Sequence, residues 1–164
     1  MENNSSVYIK RITLDDDAIL DFILREYVSL VNLYDDFSEE SLEDLVEKEQ
    51  EFIQNRIKNF FAVYDRNEFI GVFSLLLQQD FYLIRDFYIS NDLRSLGYGT
   101  KALSFCVAKA RYDVKDLSIL VYKTNVRAIR FFERNNFEKV GAIKDKYLYR
   151  LAMSQTQDMA HLKK

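Results

Sequence analysis

The sequence predicts an α/β layered domain in which helices flank a mixed central β-sheet, and three observations lead there. Short apolar runs of strand length alternate with stretches of helical period along the chain. The order read from those changes is strand, two helices, three strands, helix, strand, helix, two strands. A length of 164 residues suits one domain with a full hydrophobic core better than two with small ones. That domain is expected over residues 1–153, with a polar C-terminal tail over 154–164.

Residues 7–12 alternate enough for a first strand. Thr13, followed by Leu14-Asp15-Asp16-Asp17, offers a cap and an acidic first turn for a helix running to about residue 33. Ser38, with Ser41 as the alternative cap, opens a second helix. Its stripe at near-helical spacing is Leu42, Leu45, Val46, Glu49, Phe52, Ile53 and Ile57, and its other face is acidic. Residues 60–64 and 69–77 flank Asp65-Arg66-Asn67-Glu68 and read as a hairpin. A further strand, 81–90, follows the polar break Gln78-Gln79-Asp80. From Gly97 the period turns helical again, with Ala102, Leu103, Cys106, Val107 and Ala110 on one face. Cys106 on that face reads as a small core hydrophobe. A strand over 117–122, a short helix over 125–135 and strands over 137–143 and 147–153 close the domain.

Composition narrows the function. With 48% hydrophobic and 30% charged residues and a net charge of -3, the chain has the balance of an ordinary soluble globular protein. The mild acidity argues against general nucleic-acid binding. The longest apolar stretch, residues 69–77, is less than half of the roughly 20 residues a membrane-spanning helix needs. The first residues, Met1-Glu2-Asn3-Asn4-Ser5-Ser6, lack the basic and apolar regions of a secretory signal, so a cytoplasmic protein is expected and the Asn-x-Ser matches carry no glycosylation meaning. One Cys and one His cannot build a Cys/His zinc site, and no metal is expected.

The chemistry concentrates in Arg94-Ser95-Leu96-Gly97-Tyr98-Gly99-Thr100, followed by Lys101. This segment lies between a strand and a helix and holds two of the chain's four glycines. Amides at a helix N-terminus lack internal partners and the helix dipole is positive there, so such a turn suits a pyrophosphate. A tight turn without a ligand is the alternative. The segment lacks the Gly-Lys-Ser/Thr of a P-loop and the third glycine of a dinucleotide fingerprint, which disfavours ATP and NAD.

The spacing Arg94-x-x-Gly97-x-Gly99, after the strand residues Asp86-Phe87-Tyr88-Ile89, resembles the coenzyme A signature of the GNAT N-acetyltransferase superfamily. A second block agrees: Asn125-Val126-Arg127-Ala128-Ile129-Arg130-Phe131-Phe132-Glu133-Arg134-Asn135-Asn136-Phe137 is similar to that superfamily's Asn-x-x-Ala-x-x-Phe-Tyr-x-x-x-Gly-Phe segment. The match covers roughly residues 60–153. The wording around Asp86-Phe87-Tyr88 further resembles diamine and polyamine acetyltransferases. The resemblance implies a GNAT-like fold and transfer of an acetyl group from acetyl-CoA to a primary amine on a small molecule, a polyamine-like cation, a peptide or a protein. It also allows a homodimer.

On that resemblance, the amides of residues 96–101 hold the pyrophosphate, with Arg94 as a cation beside it. The backbone of Phe87, Tyr88 and Ile89 pairs with pantetheine, and Asn125 bonds pantetheine or caps its own helix. Ala128 and Phe131 read as packing residues lining the same cofactor. Phe132 stands where many relatives carry a tyrosine that protonates the departing thiolate, so the general acid is unassigned. Asn136 replaces the usual glycine, and Asn tolerates the left-handed turn that glycine would make. Asp86 is the leading base, with an ion pair or a surface carboxylate as the alternative; Tyr88, Tyr122 and Tyr147 stand in reserve. The acidic run Asp35, Asp36, Glu39, Glu40, Glu43, Asp44, Glu47, Glu49 and Glu51 either draws in a cationic acceptor or forms a solvated helix face. The rival class is an acetyl-CoA-binding sensor or interaction module without transfer activity. A purely structural domain with a fortuitous Gly-x-Gly is the third reading.

Overall fold

The computed structural model describes residues 6–153. Its elements are β1 (Val7–Arg11), α1 (Asp17–Tyr34), α2 (Leu42–Arg56), β2 (Phe60–Asp65), β3 (Glu68–Leu77), β4 (Phe81–Ile89), α3 (Tyr98–Asp113), β5 (Asp116–Tyr122), α4 (Val126–Arg134), β6 (Glu138–Ile143) and β7 (Lys146–Leu151), with short 3₁₀ turns at Ile57–Asn59 and Asn91–Leu93. This is the expected order. The strands form one mixed seven-stranded sheet ordered β1-β2-β3-β4-β5-β7-β6. The expected tail at 154–164 lies outside the described residues. The expected single domain divides into two compact units, and the chain passes between them three times. The first unit runs up to Ser74 and resumes over Asp86–Ala102; the second holds Leu75–Arg85 and everything from Leu103 onward.

In the first unit, β1 pairs antiparallel with β2 from Val7↔Asp65 to Arg11↔Phe61, and β2 with β3 from Phe60↔Ser74 to Asp65↔Glu68. The β2–β3 turn places Arg66 at φ 51 and Asn67 at φ 79. Two left-handed residues in a two-residue loop match the twist of the strands they join, and Asn accepts that conformation cheaply. Helices α1 and α2 contribute Phe22, Ile23 and Ile53 to a core completed by Ile12, Phe60, Ala62, Val72 and Tyr88. Burying each large apolar side chain there is worth roughly 1.5–3 kcal/mol.

The start of α1 differs from expectation, and α2 starts at the alternative cap. Thr13 does not cap α1; its backbone N–H and hydroxyl donate to the Asp16 carboxylate at 2.8 and 3.3 Å, making a separate turn that delays the helix to Asp17. Ser41 rather than Ser38 caps α2, its hydroxyl accepting from the Asp44 N–H at 3.2 Å. Ser38 is instead held in an Asx turn, its N–H bonded to the Asp36 carboxylate at 2.9 Å. Glu49 follows the apolar stripe, only 2% exposed, and does not belong to the solvated acidic face.

In the second unit, β4 pairs parallel with β5 from Phe81↔Asp116 to Ile84↔Ile119. Strand β7 lies between β5 and β6, antiparallel to both. The α3 face presents Leu103, Cys106 and Ala110, all buried, as its period predicts. Burial pushes the Cys106 thiol far above its ordinary range, so it is a packing residue and not a nucleophile. Every residue of β6 is exposed, and a register shift between Lys139 and Gly141 interrupts its ladder, a device that blunts an edge strand. No helix among the described residues is long and apolar enough to cross a membrane.

Candidate active site

The C-terminal part of β4 departs from regular strand geometry at the residue singled out as a base. Asp86 has φ 49, a conformation that carbon-branched side chains disfavour and that Asp enters at modest cost. Its side chain is 9% exposed, and Oδ2 has no hydrogen-bond partner. The Tyr88 hydroxyl donates to Oδ1 at 3.2 Å. A buried carboxylate oxygen left unbonded costs about 1–3 kcal/mol or more, so such a group persists where something else requires it.

Gly71 holds this segment in place. A Cβ added there would lie 2.2 Å from the Tyr88 carbonyl oxygen and 3.0 Å from the Ile89 Cα, so only glycine lets β3 come this close. The Ser90 N–H donates to the Ile70 carbonyl at 2.8 Å, extending the hold by two residues. Gly71 was not among the expected site residues, although a lone glycine within an apolar strand signals close backbone approach.

The turn that follows is tied at both feet. The Arg94 Nε donates to the Ile89 carbonyl at 3.0 Å and its Nη2 to the Glu26 carboxylate on α1 at 2.9 Å. At the other foot the Tyr98 hydroxyl donates to Asp65 Oδ2 at 2.7 Å, and Ser6 donates to the same carboxylate. The Ser6 and Tyr98 bonds hold the Asp65 carboxyl below its usual range, while the bond to Asp65 raises the Tyr98 phenol. Between the feet, Ser95, Leu96 and Gly97 are exposed, with Ser95 at φ 66 and Gly97 at φ 84. A side chain at Gly97 would meet nothing within 4 Å, so the space beside it is open. Helix α3 starts at Tyr98, and the Lys101 N–H is already bonded to the Gly97 carbonyl at 3.2 Å. Arg94, read from the sequence as a cation beside phosphate, thus has a protein carboxylate as its partner. Glu26 and Asp65 gave no local sign of their roles.

The second unit assembles the other block. Asn125 caps α4, its side chain accepting from the Ala128 N–H at 3.1 Å. Ala128 and Phe131 are half-buried. Phe132 is 4% exposed and packs edge-on against Phe131 and Phe137, with ring centroids 5.0 and 5.3 Å away. Asn136 takes φ 71, and the Phe137 N–H closes the helix end on the Phe132 carbonyl at 3.0 Å. Among the reserve tyrosines, Tyr122 is buried under Lys146, and Tyr147 lies beneath Lys139 at 3.8 Å and Lys123 at 5.5 Å. Thus Asp86, Phe87, Tyr88, Ile89 and residues 94–101 share one unit, and Asn125, Ala128, Phe131 and Phe132 share the other.

Two open grooves lie along α1. One of about 400 Å³ is lined by Ala18, Asp21, Leu24 and Arg25, and one of about 320 Å³ reaches Tyr64, Phe69 and Ser90. Neither includes a residue expected from the sequence to do chemistry. On α2 the acidic residues Glu43, Asp44, Glu47 and Glu51 are exposed. Among the described residues no group of three or more Asp, Glu, His or Cys could hold a metal ion.

A family model described as the acetyltransferase (GNAT) family matches residues 27–137. No curated sequence matches the chain significantly. Among solved structures, the paia N-acetyltransferase from Thermoplasma acidophilum in complex with coenzyme A is similar with a TM-score of 0.74 at 15% identity, over 89% of this chain and 98% of its own. An acetyltransferase from Thermus thermophilus gives 0.66 at 20% identity, over 88% and 96%. The ribosomal-protein-S18-alanine N-acetyltransferase from Escherichia coli gives 0.57 at 15% identity, over 90% and 94%. These likenesses are ones of fold.

Proposed function

Because the chain belongs to the acetyltransferase (GNAT) family, we propose that it transfers the acetyl group of acetyl-CoA to a primary amine. The observation that carries this reading is Asp86, a buried carboxylate with a bare Oδ2 in a left-handed strand position directly before the backbone proposed to run beside pantetheine. Acetyl-CoA supplies the acyl group as an activated thioester. The amides of residues 96–100, with Ser95 in the same turn, hold its pyrophosphate, the Lys101 N–H being taken by the Gly97 carbonyl, and the open space at Gly97 fits a group that must approach the backbone closely. The backbone of Phe87, Tyr88 and Ile89 pairs with pantetheine. The coenzyme A bound to the Thermoplasma acidophilum protein supports the choice of cosubstrate.

A primary amine of pKa near 10.4 is neutral in roughly one molecule per 2,500 at pH 7, about 4–5 kcal/mol from its reactive form. Asp86 Oδ2 takes one proton from the ammonium, and the Tyr88 hydroxyl fixes the carboxylate by its bond to Oδ1. The nitrogen then forms the new C–N bond as the C–S bond breaks, and its second proton passes to water. Phe132 cannot protonate the departing thiolate, so water or another tyrosine does. The exposed acidic face of α2 supports a cationic, polyamine-like acceptor, and the acceptor of the Escherichia coli neighbour, a protein alanine, supports a peptide amine as the other class to try.

Phe132 also favours a second reading, an acetyl-CoA sensor without transfer, because its buried ring offers no proton. One experiment separates them. Acetyl-CoA should raise the melting temperature, and coenzyme A release should depend on an added amine from a panel of polyamines, amino acids, aminoglycosides and peptide N-termini. Binding without release across the panel, even at a pH where the amines are neutral, would establish the sensor.

A further inference from the structure

We propose that Glu26 is a positioning residue for acetyl-CoA, acting through Arg94 as the brace of the phosphate turn, and that Arg94 is not itself a phosphate ligand. The inference rests on the acetyltransferase reading and names how its cofactor turn is held. Arg94 and Glu26 side chains are 33% and 18% exposed, so their 2.9 Å pair is partly withdrawn from solvent and less screened than a surface pair. The guanidinium is committed in two directions, Nε to the last carbonyl of β4 and Nη2 to α1. Those bonds fix one end of Ser95-Leu96-Gly97 as the Tyr98 bond to Asp65 fixes the other. The three residues between are exposed, and Ser95 sits in a left-handed conformation that a free chain seldom samples. Bracing both ends charges the ordering of this arch to folding rather than to ligand binding, which raises affinity. The carboxylate at Glu26 also compensates the Arg94 charge, so the anion is met by amides.

Direct coordination and bracing predict opposite signs for one substitution. Glu26→Gln removes a negative charge from the vicinity of an anion; if Arg94 were a phosphate ligand, freeing it would tighten acetyl-CoA binding. The brace predicts that Glu26→Gln weakens acetyl-CoA about ten-fold, seen in KM with kcat retained. Arg94→Gln weakens it by a similar factor, and the double variant is no worse than either single one. Turnover of S-acetylpantetheine, which has no pyrophosphate to place on the turn, stays within about two-fold in Glu26→Gln, whereas general damage to the fold would lower both. In the ligand-free protein, amide exchange over residues 95–97 is faster in Glu26→Gln than in the unmodified chain. Equal or tighter acetyl-CoA binding by Glu26→Gln, or losses that add in the double variant, would overturn the brace. Failure of the unmodified protein to bind acetyl-CoA would instead sink the acetyltransferase reading, while the exchange comparison still decides whether the brace exists.

Discussion

In the unit that contains β5, β6 and β7, polar side chains at buried positions meet partners of matching chemistry. The Tyr149 hydroxyl donates to Glu133 at 2.8 Å, Arg150 to Ser118 at 2.9 Å, and Asp113 takes both the Tyr82 hydroxyl and the Lys109 ammonium. In the unit built on β1, β2 and β3, Asp86 keeps a bare oxygen in a left-handed strand position, and Ser95 and Gly97 repeat that conformation nearby in sequence. Charge divides the same way. Among the described residues the first unit carries 9 Lys and Arg against 18 Asp and Glu, and the second 12 against 6. The contrast teaches that the turn proposed to bind the pyrophosphate belongs to the acidic unit. Attraction by the net charge of that unit would not draw a pyrophosphate there, so the proposal rests on local amides. Unmet polarity at Asp86 marks the unit proposed to act, whereas left-handed residues occur in both units, Val114, Asn136 and Lys144 lying in the second.

The hardest blow to this contrast is Asp86→Asn. Asn adopts the left-handed conformation readily and keeps the shape, so the variant removes the charge and little else. Turnover should fall by roughly 10²–10⁴, with acetyl-CoA affinity and melting temperature nearly unchanged. Full activity would reduce Asp86 to a structural oddity. Tyr149→Phe should do the reverse, lowering stability by about 1–2 kcal/mol while kcat holds, since it deletes one hydrogen bond to a carboxylate. Its pH dependence has a definite sign. Burial and the Glu133 carboxylate push the Tyr149 phenol up to about 12 from 10.0, so the protonated form is favoured in the fold. That contribution is fully present below pH 10 and lost as pH rises toward 12, so the gap between Tyr149→Phe and the unmodified protein should close over that window. The smallest effect is salt on acetyl-CoA binding. If amides rather than net charge hold the pyrophosphate, affinity should change less than about three-fold between low and high ionic strength, as titration calorimetry would measure. A ten-fold loss would return the work to long-range charge.

Where a signal is local, the sequence carried it. The element order, the β2–β3 hairpin, the Asn125 cap, the buried face of α3 and the left-handed Asn136 all follow from residues within one or two turns of one another. Glu49 belonged by sequence both to the apolar stripe and to the acidic run, and only its burial assigns it to the stripe. Thr13 closes a turn of its own, its hydroxyl accepting from the Asp15 N–H and its N–H donating to the Asp16 carboxylate, and the helix begins only after that turn. Ser38 lies in an Asx turn with Asp36, and the cap falls on Ser41, whose hydroxyl accepts from the Asp44 N–H. The partner of Arg94 lies 68 residues away, and that of Tyr98 lies 33 away. No periodicity encodes such pairs; only the folded sheet and helix bring them together. The same holds for the φ of Asp86, which nothing in an alternating strand announces.

Strand β7 joins its neighbours from between them, pairing with β5 through Leu117↔Leu151 to Tyr122↔Lys146 and with β6 through Glu138↔Arg150 to Ile143↔Lys146. Seen from a ribosome, β5 and β6 emerge first and have no ladder to share until the later strand arrives. The growing chain therefore holds one edge of β5, whose other edge pairs with β4, without its strand for the time it takes to synthesise about thirty more residues, a few seconds at cellular rates. A stop within β7 would cost both ladders at once, so early termination there should yield a chain marked for degradation rather than a shortened enzyme.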